Sequence, residues 1–351
     1  MTKSAPSILV LLLLAVVPAV QGFAPASRWN AGRSTVTVTV TAASARNPDA
    51  PRLAMATVEA VDTDVDMANK GLMKRDRYIA TNRFAVRKDQ QAKFEKRWTV
   101  RKSRLATLPG FKYFHLMRRV DLNDNGTASY KGGETEDEAQ SNYVSFTVWD
   151  KKSDFSAWRS GEAFKEAHGG TSIGAFLTTM ISSAFVLRGA PRPAFYDALL
   201  MASKKPENMP PTVDGWRQVE ADGENTLPAE CFVGMENFFV PPEHASAFEN
   251  FWATASPSFD DFEGFVAFSV MRRDGQAKGH GMVEMSMNEP TYVATLVFKD
   301  RMSFETWSST HGSAPPKEGA DAPPPPPKMW DRAPEKVYYE GTLVITGEEG
   351  A

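Results

Sequence analysis

The sequence predicts an α+β protein in which one β-α-β-β-α-β unit is written twice, the two copies packing sheet to sheet as one intramolecular barrel. Three observations predict it. First, "NRFAVRKDQQAKFEKRW" (82–98), "PGFKYFHLMRR" (109–119) and "YVSFTVWDKKSDFSAW" (143–158) recur in order as "NFFVPPEHASAFENFW" (237–252), "EGFVAFSVMRR" (263–273) and "YVATLVFKDRMSFETW" (292–307). Second, apolar residues alternate in the strand candidates and follow helical spacing between them. Third, a small open antiparallel sheet leaves edges and one face to be covered, and a second copy in the same chain supplies the cover.

In the first copy, "YIATNRFAV" (78–86) alternates and is rich in β-formers, which predicts a strand. Tyr78, Ala80, Asn82, Phe84 and Val86 then share one face. Residues 90–106 place Phe94, Trp98 and Leu105 at helical spacing, and Pro109-Gly110 ends that helix. "FKYFHLMRRV" (111–120) and "YVSFTVW" (143–149) are the next strands, separated by the polar loop 122–140 with its sequon at Asn125. A helical region over 151–180 and a last strand "AFVLR" (184–188) complete the ferredoxin-like order. The Pro- and charge-rich stretch 190–228 predicts a linker, with one short helix at 194–202. The domains are therefore expected at 76–189 and 229–347, and the five-proline stretch within 311–328 is expected to be irregular.

Composition sets outer limits. A net charge of −3 gives no global basic field for nucleic acid. Cys231 is the single cysteine, which excludes an intramolecular disulfide and a Cys-based metal cluster. Lys3 followed by the short apolar run "SILVLLLLAVVPAV" (7–20) predicts a secretory signal over residues 1–22. Residues 23–54 continue with arginines, Ser, Thr and Ala, as transit peptides do. "VQGFAPAS" resembles the bipartite presequences of algae with complex, red-lineage plastids, with Gly22 where alanine is more usual. The expected destination is a plastid reached through the secretory route; simple secretion is the alternative. No stable membrane insertion is expected once that leader is removed.

"NRFAV", "FEKRW", "LPGF", "TVW" and "FSAWRSGEAFKEAH" together resemble the IsdG-type haem-degrading monooxygenases of the antibiotic-biosynthesis-monooxygenase (ABM) superfamily, over about residues 78–188. The resemblance implies tandem ABM domains and an active site of Asn82, Trp158 and His168. His168 would ligate haem iron, Trp158 would press on the porphyrin, and Asn82 would hydrogen-bond the reacting oxygen. The residue types suit those tasks. Imidazole keeps a free nitrogen near neutral pH, and an amide both donates and accepts. Ten residues of unbroken helix would separate Trp158 from His168 by about 15 Å and about 80°, so a break at Gly161 is expected to bring them to one ligand. Each residue has an ordinary alternative: Trp158 in the core, His168 as a helix C-cap, Asn82 in a buried network. Arg97, Arg101 and Arg104 read as a solvated helix face, the alternative being a hold on haem propionates.

The implied function is oxidative cleavage of haem, both substrate and cofactor, with O2 and an external reductant such as a plastid electron donor. Iron and a linear tetrapyrrole would be released. Two alternatives stand beside it: a cofactor-independent ABM monooxygenase of a quinol or phenol, and a non-catalytic haem or tetrapyrrole binder. In the second copy Asn237 and Trp307 are expected to match Asn82 and Trp158, but Lys317 stands where His168 does and His311 is displaced. That copy is expected to be a degenerate structural partner in an intramolecular pseudo-dimer, with at most one haem per chain.

Overall fold

The computed structural model describes residues 67, 70–101, 104–122, 128–130, 141–167, 185–204, 212–213, 216–255, 262–275, 289–311 and 329–347. The leader, the sequon at Asn125, the proline run, Lys317 and His168 lie outside the described residues.

The first repeat runs β1 (Arg77–Phe84), α1 (Gln91–Thr99), β2 (Phe111–Leu122), a short β3 (Ala128–Tyr130), β4 (Tyr143–Trp149), α2 (Lys152–Ser160), α3 (Glu162–Ala167) and β5 (Arg192–Ser203). A two-strand ribbon, β6 (Thr212–Val213) and β7 (Trp216–Arg217), precedes the second repeat. That repeat runs β8 (Cys231–Phe238), α4 (Ala245–Ala255), β9 (Phe265–Arg273), β10 (Tyr292–Phe298), α5 (Arg301–His311) and β11 (Glu335–Thr346). Among the described residues no helix is long and apolar enough to cross a membrane.

The strands follow the order β11-β8-β10-β9-β5-β1-β4-β2, and β11 pairs with β2 to close an eight-stranded antiparallel barrel. The closing strands correct the sequence reading. The last strand of the first repeat is Arg192–Ser203, so the segment expected to be a linker with a helix at 194–202 opens with a barrel strand. Of "AFVLR" only Leu187 enters a β-bridge, with Val86. The reason lies in the alternation Ala194, Tyr196, Ala198 toward the lumen, a period of two that helix-forming Ala and Leu obscure.

β5 and β11 each belong to both repeats. β5 pairs with β1 and then with β9; β11 pairs with β8 and then with β2. Each shifts register at a bulge whose leucine has positive φ, Leu200 at +52° and Leu343 at +49°. Past its bulge, β11 turns Leu343 and Ile345 toward the helices of the first repeat while Val344 faces the lumen.

Both faces of the sheet are covered, so every residue of β4 is buried. Val144, Phe146 and Val148 fill the barrel, and Tyr143 and Trp149 pack under the helices. Three cores result: the lumen and one helix layer per repeat.

Two matching ion networks pin the repeats together. Arg118 reaches Glu95 at 2.9 Å, Tyr143 donates to the same carboxylate at 2.6 Å, and the Leu227 N–H donates to its other oxygen. Arg272 reaches Glu249 at 2.8 Å, Tyr292 donates to it at 2.7 Å, and the Met73 N–H donates at 2.5 Å. Leu227 precedes the second repeat yet binds the first, and Met73 precedes the first yet binds the second. Across the strand seams Arg118 also pairs with Glu340 and Arg272 with Asp197. Both copies of the motif keep the Glu and the Arg because each buried carboxylate needs its cation.

His115 lies fully buried in the lumen, and burial pushes its imidazole down to about 3 from 6.5. The unfolded chain therefore takes up a proton below pH 6.5 that the folded chain refuses, so stability falls with pH across the window 6.5 to 3. The expected contribution is about 1.4 kcal/mol per pH unit. Denaturant melts at pH 7 and pH 5 check it: His115→Ser, which places the second repeat's residue there, should flatten that dependence.

Candidate active site

The first repeat holds a cavity of about 360 Å³ between its sheet and its helices. The floor comes from β1, β4 and β5 through Ala80, Asn82, Ser145, Thr147 and Phe195. One wall is α1 and the turn after it, with Trp98, Arg101 and Leu105; the opposite wall is α2 and α3, with Phe155, Trp158, Phe164 and Ala167. Leu343 and Ile345 of β11 close the end, so the second repeat supplies part of the enclosure.

Asn82 and Trp158 thus meet at one cavity. Asn82 sits in the expected row with Tyr78, Ala80 and Phe84, but its side chain is exposed to the cavity and forms no hydrogen bond with the described residues. Its donor and acceptor both stay available to a ligand. On β5 it faces Pro193, which has no N–H to offer. Trp158 stacks on Trp149 at 5.4 Å, and Phe164 meets it edge-on at 5.1 Å. Its indole is a wall of fixed orientation.

The helix does break at Gly161. α2 ends at Ser160, Gly161 is extended, and α3 starts at Glu162. A Cβ there would lie 3.0 Å from the Ala157 carbonyl oxygen, which favours glycine at the joint. The break turns Ala167, the residue before His168, into the cavity lining.

Arg101 corrects the reading of a solvated basic face. It lies over the Trp98 ring at 4.8 Å, donates to the Ala167 carbonyl, and lines the cavity. Burial lowers its guanidinium to about 10, which leaves it charged at neutral pH. Arg104 instead pairs with Glu166 at the surface, at 3.2 Å. Arg159 also lines the cavity, and among the described residues no carboxylate does. An aromatic slot with cations and no acid at its wall suits a flat ligand that carries carboxylates. The spacing of Trp98 and Arg101, one helical turn apart, was the available signal for this pair.

The second repeat keeps the tryptophans, Trp252 for Trp98 and Trp307 for Trp158, but differs on its strands. Strand pairing sets Phe84 opposite Tyr143 and Phe238 opposite Tyr292, so the residue in Asn82's place is Glu236, not Asn237. The one-residue difference between the two copies hid this, and a slip of one moves a side chain to the other face of a strand. Burial pushes the Glu236 carboxyl up, and Lys336 opposes the shift. Gly234 replaces Ala80, with the Phe304 ring so close that a Cβ would lie 2.7 Å from it. Gly234→Ala is therefore expected to cost about 1–3 kcal/mol of stability, readable in a urea melt. Met329 and Trp330 pack into the same layer. His311 ends α5, but its side chain lies outside what is described. Among the described residues no three His, Cys, Asp or Glu side chains gather to hold a metal ion.

With this geometry in view, the comparisons with known proteins fall into place. Residues 77–170 match the family model for antibiotic biosynthesis monooxygenases. The match runs from β1 through α3 of the repeat that holds the cavity, and the barrel has the α+β ferredoxin-like architecture of two such repeats as a pseudo-dimer. No curated protein matches the chain. Among solved structures, a candidate monooxygenase of Fusobacterium nucleatum is 11% identical with a TM-score of 0.44, over 78% of this chain and 96% of that one. An anthrone oxidase-like protein is 12% identical with a TM-score of 0.42, over 79% and 96%. A candidate monooxygenase of Lactobacillus acidophilus is 6% identical with a TM-score of 0.38, over 78% and 97%. Likenesses of this degree say nothing about activity.

Proposed function

We propose that this ABM-type protein is a haem-degrading monooxygenase. With O2 and an external reductant it opens the tetrapyrrole at the first-repeat cavity and releases iron and a linear tetrapyrrole. One observation carries the reading: Asn82, Trp158 and the residue next to His168 line a single aromatic cavity whose only charged groups among the described residues are arginines. Bound haem supplies the iron at which dioxygen is reduced, and is itself what becomes oxidised. Trp158, held by Trp149 and Phe164, fixes the plane of the ligand. Arg101 and Arg159 pair with its carboxylates, and Asn82 orients the polar reacting group. His168 is the proposed iron ligand, a role its imidazole would fill in the neutral form. The apolar wall, including Leu343 and Ile345, excludes water from the reaction.

The second repeat, with Glu236 in Asn82's place, serves as the structural partner and binds no haem. The leader supports action in a plastid, where ferredoxin or ascorbate can donate the electrons.

A hemin titration followed by aerobic reduction tests the reading. The expected result is a Soret band saturating at one equivalent per chain, strongly weakened by His168→Ala, that bleaches with release of iron. Stable binding without bleaching would make the protein a tetrapyrrole carrier. Turnover of a quinol or phenol without iron, unaffected by His168→Ala, would make it a cofactor-independent monooxygenase. Two equivalents of hemin per chain, one of them dependent on His311, would overturn the structural role of the second repeat.

A further inference from the structure

The barrel has a second cavity, of about 440 Å³, on the opposite side of the sheet from the candidate active site. It opens at one end of the lumen, and every barrel strand except β8 contributes to it. Its origin is readable from the repeats. Where the first repeat places Tyr113, His115 and Phe146 in the lumen, the second places Ala267, Ser269 and Thr295. Tyr113 and Phe146 pack against His115 with ring centroids 5.0 Å apart, filling one side. The small residues leave the other side open, and Ala267, Ser269 and Thr295 all line the cavity. An eight-stranded barrel has room for its own side chains or for one slender ligand, and here three bulky lumen positions of the first repeat carry smaller residues in the second.

The chemistry of the cavity is graded. Phe146, Val148, Val266 and Val297 make the depth apolar. Arg77, Lys112 and Lys204 line it as well, and the first two are well exposed at the mouth. Asp150 bridges Arg77 at 3.3 Å and Lys112 at 2.9 Å, and Asp76 accepts from the Met201 N–H at 3.1 Å. Among the described residues three cations thus stand at the rim of an apolar tube, with Arg77 and Lys112 bridged by Asp150. Behind Tyr113, the buried His115 Nε2 has no hydrogen-bond partner among the described residues, while its Nδ1 lies 3.7 Å from the Cys231 thiol.

We propose that the lumen is a second ligand site and takes an unbranched long-chain carboxylate, its tail along the second-repeat wall and its head at Arg77, Lys112 and Lys204. Area burial drives such binding, and the rim charge sets the direction of entry. The site is independent of the haem reading, since it shares no side chain with the helix-side cavity.

The test is a fluorescence titration of the full chain with cis-parinaric acid, an unbranched polyene carboxylate, and with its methyl ester. One site per chain is expected, with the ester bound at least tenfold more weakly. Ala267→Tyr and Thr295→Phe restore the bulk that the first repeat carries and should each weaken binding at least tenfold, while Trp158→Ala leaves it unchanged. Should either lumen variant misfold, Lys112→Ala with Lys204→Ala, on the exposed rim, should still weaken the acid and not the ester. Unchanged binding in the lumen variants, loss in Trp158→Ala, or equal affinity for acid and ester would each overturn the proposal.

Discussion

Hemin bound to the Asn82→Ala variant is expected to be degraded about 10 to 100 times more slowly than hemin bound to the wild type, with its affinity changed less than threefold. The Asn82 amide has no hydrogen bond to the described residues, so removing it breaks nothing within the fold. Stability should move by no more than about 0.5 kcal/mol, as for any exposed side chain without a structural task. What is lost is a hydrogen bond made to a group that gains charge as the reaction proceeds. Such a bond is worth about 1.5–3 kcal/mol, which converts to the stated range of rates. Single-turnover bleaching measured beside hemin affinity separates the two effects. Equal bleaching rates would remove Asn82 from the reaction, and a parallel loss of affinity would make it a binding group only.

Glu95→Ala is expected to destabilise the protein by about 3–5 kcal/mol, and Glu249→Ala by a similar amount. Glu95 is completely buried. Its removal leaves the Arg118 guanidinium with Glu340 and the Leu227 carbonyl, and strips the Tyr143 hydroxyl and the Leu227 N–H of their acceptor. Burying unpaired polar groups costs more than the pair contributed when intact. Glu95→Gln keeps an acceptor for Tyr143 and should cost less. Urea denaturation provides the measurement. A loss under about 1 kcal/mol for Glu95→Ala would mean that the arm carrying Leu227 detaches without penalty. Both substitutions should loosen the strand seams before they disturb the helix-side cavity, because the networks span β5 and β11, where the repeats exchange.

The duplication was visible in the residues because side chains that close-pack or carry a buried charge recur in both copies. Phe94 and Phe248, Trp98 and Trp252, Glu95 and Glu249, Arg118 and Arg272 all stand at matching positions. The break at Gly161 was equally legible, and a joint where a Cβ would press on a carbonyl favours glycine. The double pairing of β5 was not. Its stretch "RPAFYDALLMAS" has helix-forming residues in its second half, and pairing with β1 on one side and β9 of the other repeat on the other makes it a strand. The equivalence of Asn82 and Glu236 also escaped a linear comparison, because a strand register is fixed by its neighbours and not by its own letters.

For the candidate site the division runs the same way. Asn82 and Trp158 were nameable through the family resemblance, to which strand parity and the helix break at Gly161 added physical support. Arg101 was named but misplaced, since helical spacing tells which residues share a face and not which face is covered. Leu343 and Ile345 were out of reach, being more than 180 residues from Trp158 in the chain. By itself the sequence determined a repeated α+β unit, the bulk of each helix layer and two of the groups that meet at the cavity. These follow from short-range periodicity and residue chemistry. Only the tertiary structure decided that the repeats interlock through strands shared by both, that one helix-side cavity stays open while its counterpart is packed with Phe304, Met329 and Trp330, and that the lumen holds a cavity at one end. Those outcomes depend on which distant side chains share a volume, a quantity fixed by strand pairing across the whole barrel.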